Sequence, residues 1–206
     1  MTSSTSRSVL ALLLAGALAL TACGGSDAES DESGAGARDQ DVAFASDMIQ
    51  HHAQALVLVD HTVGRELSPE VADLAEGIRE AQAPEIETMT DWLLAWGEEV
   101  PATVRDHVNA EGHGKGHASE GGDDVGEQMS GMVGAEELAA LEAAPDAEFG
   151  ARWLRLMVEH HEGAVAMAEE QVRDGDDADA VALAQRVVAG QGAEIRQMEA
   201  LLDAAG

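Results

Sequence analysis

Two stretches of the chain, MIQHHAQALVL at residues 48–58 and MVEHHEGAVAM at residues 157–167, share one pattern. Each contains two adjacent histidines, and a methionine lies three residues before the first of them. The whole chain has only 8 histidines, so half of them fall in these two pairs. The recurrence indicates that the chain contains two copies of one structural unit.

The similarity between the two stretches extends along the chain at the constant offset that separates position 48 from position 157. Without any gap, this offset matches Met48 with Met157, His51 with His160, His52 with His161, Leu74 with Leu183, Gln82 with Gln191, Glu85 with Glu194, Ile86 with Ile195, Met89 with Met198 and Leu93 with Leu202. The matches include residue types that are uncommon in proteins. An internal duplication explains them better than chance does.

The first copy has the pattern of two amphipathic helices joined by a turn. Its apolar residues recur at steps of three and four on both sides of GRELSPE, residues 64–70, where glycine and proline interrupt the pattern. Ser68 followed by Pro69 is typical of a helix start. Pro84 lies inside the second helix, and we expect it to kink or restart that helix.

The second copy repeats the two helices on either side of RDGDDAD, residues 173–179. We therefore predict helical hairpins over residues 41–99 and 147–203. One hairpin cannot bury its own apolar face, so the two should pair into an all-α four-helix bundle. The connection between them contains a His- and Gly-rich loop at residues 107–130 and a predicted short helix at 135–143, and its length permits a crossover.

The composition agrees with an all-helical domain. The chain contains 3 tryptophans, 2 phenylalanines and no tyrosine, although β-strands favour aromatic residues. Its 11 basic and 40 acidic residues give a formal net charge of −29. Such a charge opposes binding to nucleic acid and to anionic membrane surfaces, and it attracts cations.

The N-terminus has the pattern of a bacterial lipoprotein signal. Arg7 supplies a basic start, residues 9–20 form an apolar run, and LTAC ends at Cys23, the only cysteine. We therefore predict a signal peptide at residues 1–22, a lipid anchor on Cys23 and a flexible acidic tether at residues 23–40. The protein would then be attached to the cell membrane and face the extracytoplasmic side. An ordinary secretory signal with an incidental cysteine is the alternative.

The duplicated polar residues should meet inside each hairpin. Positions equally distant from the turn lie at the same height, because both helices rise equally per residue. This condition is met, or nearly met, by His51 with Glu85, Met48 with Met89, His160 with Glu194, and Met157 with Met198. Adjacent histidines on a helix differ in direction by about 100°. One member of each pair, either His51 or His52 and either His160 or His161, can therefore flank the site or donate to a carboxylate.

Imidazole and thioether together form the ligand set that copper favours, Cu(I) above all. The pattern therefore predicts a copper site, with metal sequestration or transfer to a copper-accepting protein as its function. No glutamate lies three residues before a histidine, which argues against an iron or manganese oxidase of the four-helix type. The sequence gives little support for any enzyme.

Two other interpretations of these residues remain open. Methionine on a buried helix face is often core packing, and the duplicated polar residues can form a structural layer in a non-metal interaction module. The remaining candidates are weaker. His61 is expected to be solvated, while His113 and His117 fit either a metal-collecting loop or an ordinary linker. Met129 and Met132 in MSGM can supply soft ligands or pack under the loop.

Several segments, FASDMIQHHAQALVLVDH, AQAPEIETMTDWLLAWG, MSGM, FGARWLRLMVEHHEGAVAMAEE and AGQGAEIRQMEALL, resemble the bacterial domain-of-unknown-function family 305 over residues 41–203. The resemblance implies a ferritin-like four-helix fold in an exported protein, and copper binding in some relatives. By motif match it implies a role for Met48, His51, His52, Met157, His160 and His161. A methionine six residues after the histidine pair, here Met167, is also typical of this family, but Leu58 occupies that position in the first copy.

Overall fold

The computed structural model describes residues 32–105 and 129–205. Within these residues the chain forms five helices and no strand: α1 (Glu32–Asp60), α2 (Pro69–Trp96), α3 (Ala135–Glu142), α4 (Asp146–Asp174) and α5 (Ala178–Ala205). The two predicted hairpins correspond to α1–α2 and α4–α5, and the predicted short helix corresponds to α3. No helix in the described part of the chain has the length and apolar character to cross a membrane.

The order of the helices follows from contacts between residues that are distant in sequence. Residues of α1 contact α4 at His51 with His160, at the Leu58 backbone with Trp153 and at Asp41 with Gln171. As the residue number rises along α1, the number of the contacted residue in α4 falls, so the two helices are antiparallel.

Each hairpin is antiparallel too, so α2 and α4 run in the same direction. The connection from α2 to α4 must therefore cross the length of the bundle. One such crossover defines the ferritin-like arrangement, which confirms the predicted fold class.

The described ends of this crossover lie along α1. Arg105 forms an ion pair with Asp60 at the C-terminal end of α1, with 3.3 Å between Nη2 and Oδ2. At the other end of the crossover, Ser130 lies near the middle of α1, where its carbonyl contacts His51. Helix α3 then leads to the start of α4, where Asp146 pairs with Arg65 at 3.2 Å.

The core consists of two apolar clusters with the histidines between them. On α1, Phe44 and Met48 belong to one cluster, and Leu58 belongs to the other. Along α4 the two clusters follow each other in the opposite order, so Trp153, near the start of α4, lies in the same cluster as Leu58. The Trp153 ring is fully buried, and its Nε1–H donates to the Leu58 carbonyl at 2.8 Å. The histidines at positions 51, 52, 160 and 161 therefore form a polar layer across an otherwise apolar bundle.

Local sequence signals fix the ends of the helices. Ser68 caps α2, since its Oγ accepts from the backbone N–H of Val71 at 3.4 Å, and Pro69 is the first helical residue, as predicted. Gly97 ends α2 with φ of 81°, a conformation that glycine adopts without strain. In the second hairpin, Asp177 Oδ1 accepts from the N–H groups of Asp179 and Ala180, both at 3.0 Å.

Asp41 joins the two hairpins at the N-terminal end of the described domain. This carboxylate is only 3% exposed, and it accepts from the side-chain amide of Gln171. It also accepts from the backbone N–H groups of Asp176 and Asp177, at 3.2 Å and 2.9 Å. Asp41 therefore attaches α1 to the turn between α4 and α5.

Two expectations differ from the structure. Helix α1 begins at Glu32, so residues 32–40 of the expected tether are helical. Extending an existing helix is far less costly than starting one, and this segment contains no proline. Helix α2 does not restart at Pro84 but is one continuous helix. Pro84 is exposed, so the loss of its N–H affects the solvent-facing side of α2.

The other predictions for the N-terminus and the crossover fall outside the described residues. They are the signal peptide at 1–22, the lipid anchor on Cys23, the tether up to residue 31 and the loop histidines His113 and His117.

Candidate metal centre

The two duplicated histidine pairs meet in the middle of the bundle. The rings of His51 and His160 are in contact, with 3.8 Å between their centroids and 43° between their planes. The His161 ring lies 6.3 Å from the His160 ring. All four histidines, His52 included, are fully buried. Because His51 and His160 are equivalent positions of the two copies, the approximate two-fold axis of the duplication passes between their rings.

The outer member of each pair donates to a carboxylate on the partner helix of its hairpin. His52 Nε2 lies 2.8 Å from Glu85 Oε2, and His161 Nε2 lies 2.8 Å from Glu194 Oε2. Both glutamate side chains are 21% exposed, so they connect the buried layer to solvent. Of the two roles expected for one histidine of each pair, flanking the site or donating to a carboxylate, both pairs show a hydrogen bond to a carboxylate. Although His51 lies at the height of Glu85, the partner of Glu85 is His52.

The hydrogen bonds determine which ring nitrogens carry free lone pairs. The Ser130 carbonyl can only accept, so the contact of 3.2 Å with His51 requires a proton on His51 Nε2. The carboxylates place a proton on Nε2 of His52 and His161 in the same way. In the neutral rings Nδ1 is then unprotonated, and this atom is buried without a hydrogen-bond partner in all three. In His160 both ring nitrogens lack a partner.

The environment keeps the two central histidines neutral. Burial, followed by the neighbouring imidazole of His52, lowers the pKa of His51 to about 3, although the Ser130 carbonyl opposes this shift. The pKa of His160 lies well below its usual range, because of burial first and then the nearby His51 and His161 rings. The nearby His51 backbone acts to raise the pKa of His160, although neither ring nitrogen of His160 makes a well-formed hydrogen bond. Neutral imidazole is the form that binds metals.

The methionines lie on both sides of the histidine layer and not within one group. Met48 and Met89 belong to one apolar cluster, while Met157 and Met198 belong to the other, and all four are fully buried. For Met48 and Met157 this separation follows from the antiparallel packing of α1 and α4, because each of them precedes its histidine pair. The half-buried Met167 packs against the cluster that contains Met48.

The structure thus brings the histidines of both hairpins into one shared group, flanked by methionine pairs. In the described part of the chain, no three His, Cys, Asp or Glu side chains converge closely enough to hold a metal ion. The donor types fit copper, and several donor atoms are unpaired. The imidazole rings would have to rotate for three of these donor atoms to point at one ion.

Two polar features of the bundle interior were not predicted from the sequence. The Ser130 carbonyl belongs to a turn of the crossover, and a backbone contact of this kind leaves no signal in the sequence. Gln82 and Gln191 were identified as a duplicated pair but not as site residues. Both are almost fully buried, and neither amide has a hydrogen-bond partner. Their equivalence in the two copies was the signal that could have identified them as buried polar residues.

The fold and the histidine layer together define a duplicated, ferritin-like four-helix bundle with a buried imidazole cluster. The chain belongs to the DUF305 family, since the model of that family, described as a domain of unknown function, matches residues 41–202. A comparison with curated protein sequences finds no match.

Solved structures with the same fold include a DUF305 protein from Streptomyces coelicolor whose description assigns it to the secreted proteins. It is 30% identical with a TM-score of 0.66, and the match covers 81% of this chain and 94% of that one. A DUF305 fragment from Deinococcus radiodurans is 32% identical with a TM-score of 0.63, over 80% and 95% of the two chains. The Cu(II)-bound form of CopM is 25% identical with a TM-score of 0.61, over 79% and 95%.

The low pKa values predict how the stability of the metal-free protein depends on pH. Unfolded histidine takes up a proton as the pH falls through about 6.5, whereas buried His51 does not do so until about pH 3. Lowering the pH from 6.5 to 5 should therefore lower the free energy of unfolding, by up to about 1.4 kcal/mol per pH unit for each such histidine. Urea unfolding at several pH values measures this slope.

The double variant His51→Gln with His160→Gln should show a shallower slope, because it removes both groups. His61→Gln is the matched control, since His61 is not in the layer. Equal slopes in the wild type and the double variant would contradict the assignment.

Proposed function

We propose that this protein binds copper as cargo in the shared histidine layer and transfers it to another protein. The observation that carries the proposal is the contact between His51 and His160, two equivalent residues that bury unpaired ring nitrogens against each other. CopM, a relative 25% identical to this chain, has been solved in Cu(II)-bound and Cu(I)-bound forms. That likeness supports copper as the ion.

The chemistry of the layer suits copper in either oxidation state. Imidazole binds Cu(II) and Cu(I), and thioethers favour Cu(I). His51 and His160 are neutral at physiological pH, so a metal ion need not displace a proton from either of them. Glu85 and Glu194 orient His52 and His161 through their Nε2 atoms, as carboxylates commonly do for metal-binding histidines.

Ring rotation is part of the proposed binding step. A change of orientation at His51 has to break the hydrogen bond with the Ser130 carbonyl, and it frees Nε2. His160 makes no hydrogen bond that restrains its ring. The two central rings are thus the most free to turn toward an ion, while His52 and His161 are held by carboxylates.

The alternative function is a structural layer that fixes the register of the bundle. Its support is the pair of equivalent hydrogen bonds from His52 and His161, which tie the helices of each hairpin together. A purely structural layer should, however, satisfy its polar atoms, because an unpaired buried group costs about 1–3 kcal/mol. The unpaired nitrogens of His51 and His160 favour the metal-binding function.

Removing the two central rings should lower copper affinity at least tenfold. We expect His51→Ala with His160→Ala to lose affinity because the free lone pairs at the two-fold axis disappear. Competition with a chromophoric chelator, after anaerobic loading with Cu(I) and separately with Cu(II), measures the affinity and the number of ions per chain. His61→Ala is the matched control, and circular dichroism checks that both variants remain helical. Unchanged affinity in a folded double variant would favour the structural layer.

Replacing the paired methionines should discriminate between oxidation states. Met48→Leu with Met157→Leu keeps the core volume nearly constant but removes one thioether on each side of the layer. We expect weaker binding of Cu(I) by about tenfold and little change for Cu(II) or Zn(II), which depend less on soft ligands. The same chelator competition measures all three ions. An equal loss for every ion would show that the variant disturbs packing and not ligation.

The protein is further proposed to act at the outer face of the cell membrane through a lipid on Cys23. The proposed lipid anchor rests on the lipoprotein pattern of residues 1–23, and the description of the Streptomyces relative as secreted agrees with export. In a bacterial host that receives labelled palmitate, the wild type should incorporate label and Cys23→Ser should not. Ser26→Ala serves as the control. Absence of label from the wild type would favour an ordinary secretory signal.

A further inference from the structure

A turn of the crossover, residues Met129–Met132, lies directly over the histidine layer. The N–H of Met132 donates to the carbonyl of Met129 at 3.3 Å, and Gly131 between them has φ of 80°. Ser130 is exposed to solvent, yet its carbonyl accepts from the fully buried ring of His51. Among the described residues, Ser130 is therefore both exposed to solvent and in contact with a central ring.

Two glycines allow the turn to lie against the backbone of α4. A methyl group added at Gly163 would overlap the Ser130 carbonyl oxygen. A methyl group added at Gly131 would lie 2.6 Å from the backbone oxygen of Glu159, too close for any real contact. The turn therefore covers α4 only because both positions lack a side chain.

The other described attachment of the turn is a pair of hydrogen bonds next to it. Gln54 on α1 donates through Nε2 to the Val133 carbonyl at 2.9 Å, and its Oε1 accepts from the Val133 N–H at 2.7 Å. The helices below are held by continuous ladders of backbone hydrogen bonds and by packed side chains. Segments with few hydrogen bonds open at lower free energy than such helices.

We infer that this turn and the adjacent Val133 together form a removable cover, which opens as a unit to let copper reach His51 and His160 and then closes over it. This inference rests on the proposed copper-binding function. Opening breaks the bonds from Gln54 and the contact of Ser130 with His51, and it withdraws the buried Val133 side chain from the edge of the apolar cluster that contains Leu58. It leaves α1 and α4 in place and exposes the His160 ring, 3.8 Å away from His51. The cover breaks the symmetry of the duplication, because the Ser130 carbonyl bonds to His51 only.

Hydrogen exchange of the wild-type, metal-free protein tests whether the turn opens independently. We expect the buried Val133 amide to exchange at least tenfold faster than the slowest amides of α4, because it needs only local opening. Exchange of Val133 at the same rate as those α4 amides would overturn the inference. It would mean that the turn is released only when the bundle unfolds.

Two variants test the function of the cover by holding it open. Gly163→Ala adds a methyl group to α4 and Gly131→Ala adds one to the turn, and in both variants this methyl group pushes the turn away from α4. If one variant does not fold, the other still provides the test. Neither removes a side-chain ligand. Gly190→Ala is the matched control, because a methyl group there meets nothing within 4 Å. Circular dichroism identifies the variants that retain the helical fold.

In the metal-free variants, diethylpyrocarbonate should modify His160 at least tenfold faster than in the wild type, with His61 as the internal reference. In the copper-loaded variants, transfer of copper to a chelator should accelerate by at least tenfold with unchanged stoichiometry. Wild-type rates in a folded variant would overturn the inference. Failure of the wild type to bind copper would overturn the proposed function instead, and the modification and exchange rates would still decide whether the turn opens.

Discussion

The contact between His51 and His160 is the constraint on which the rest of the domain depends. Two uncharged imidazoles meet in the middle of an apolar bundle, where helices α1 and α4 run antiparallel and the two-fold axis passes between the rings. That arrangement places the apolar clusters on opposite sides of the layer and separates the methionine pairs. Burial then keeps the pKa of both rings low, so the core can contain this central pair without accumulating charge on it at physiological pH.

The duplication makes the two halves of the site equivalent, and the crossover turn makes them differ. His52 with Glu85 and His161 with Glu194 are equivalent in partner and distance, so both hairpins retain the same hydrogen bond. The described part of the crossover, however, contributes one turn to the layer, and that turn bonds to one of the two central rings. The Ser130 carbonyl therefore distinguishes His51 from His160, and the two equivalent ligands differ in how easily their rings can turn.

The helices, their pairing and the height of the polar residues could be predicted from the sequence, because apolar periodicity and equal rise per residue determine them. The direction of individual side chains could not. Adjacent histidines differ by about 100° around the helix, and only the packing of α1 on α4 determines that His52, and not His51, reaches Glu85. The Ser130 contact was likewise hidden, since a backbone carbonyl can belong to any residue type. The metal-binding roles of these residues stay predictions.

The attachment of Asp41 to the second hairpin has a mechanical consequence. Asp41 lies ten positions before His51 on α1, about 15 Å along the helix axis. It is fastened to the turn between α4 and α5 by hydrogen bonds from Gln171, Asp176 and Asp177. A pull on the N-terminal end of α1 is thus transmitted to the second hairpin at Asp41, before the load reaches the imidazoles. The domain can be tethered from that end without strain on the rings at its centre.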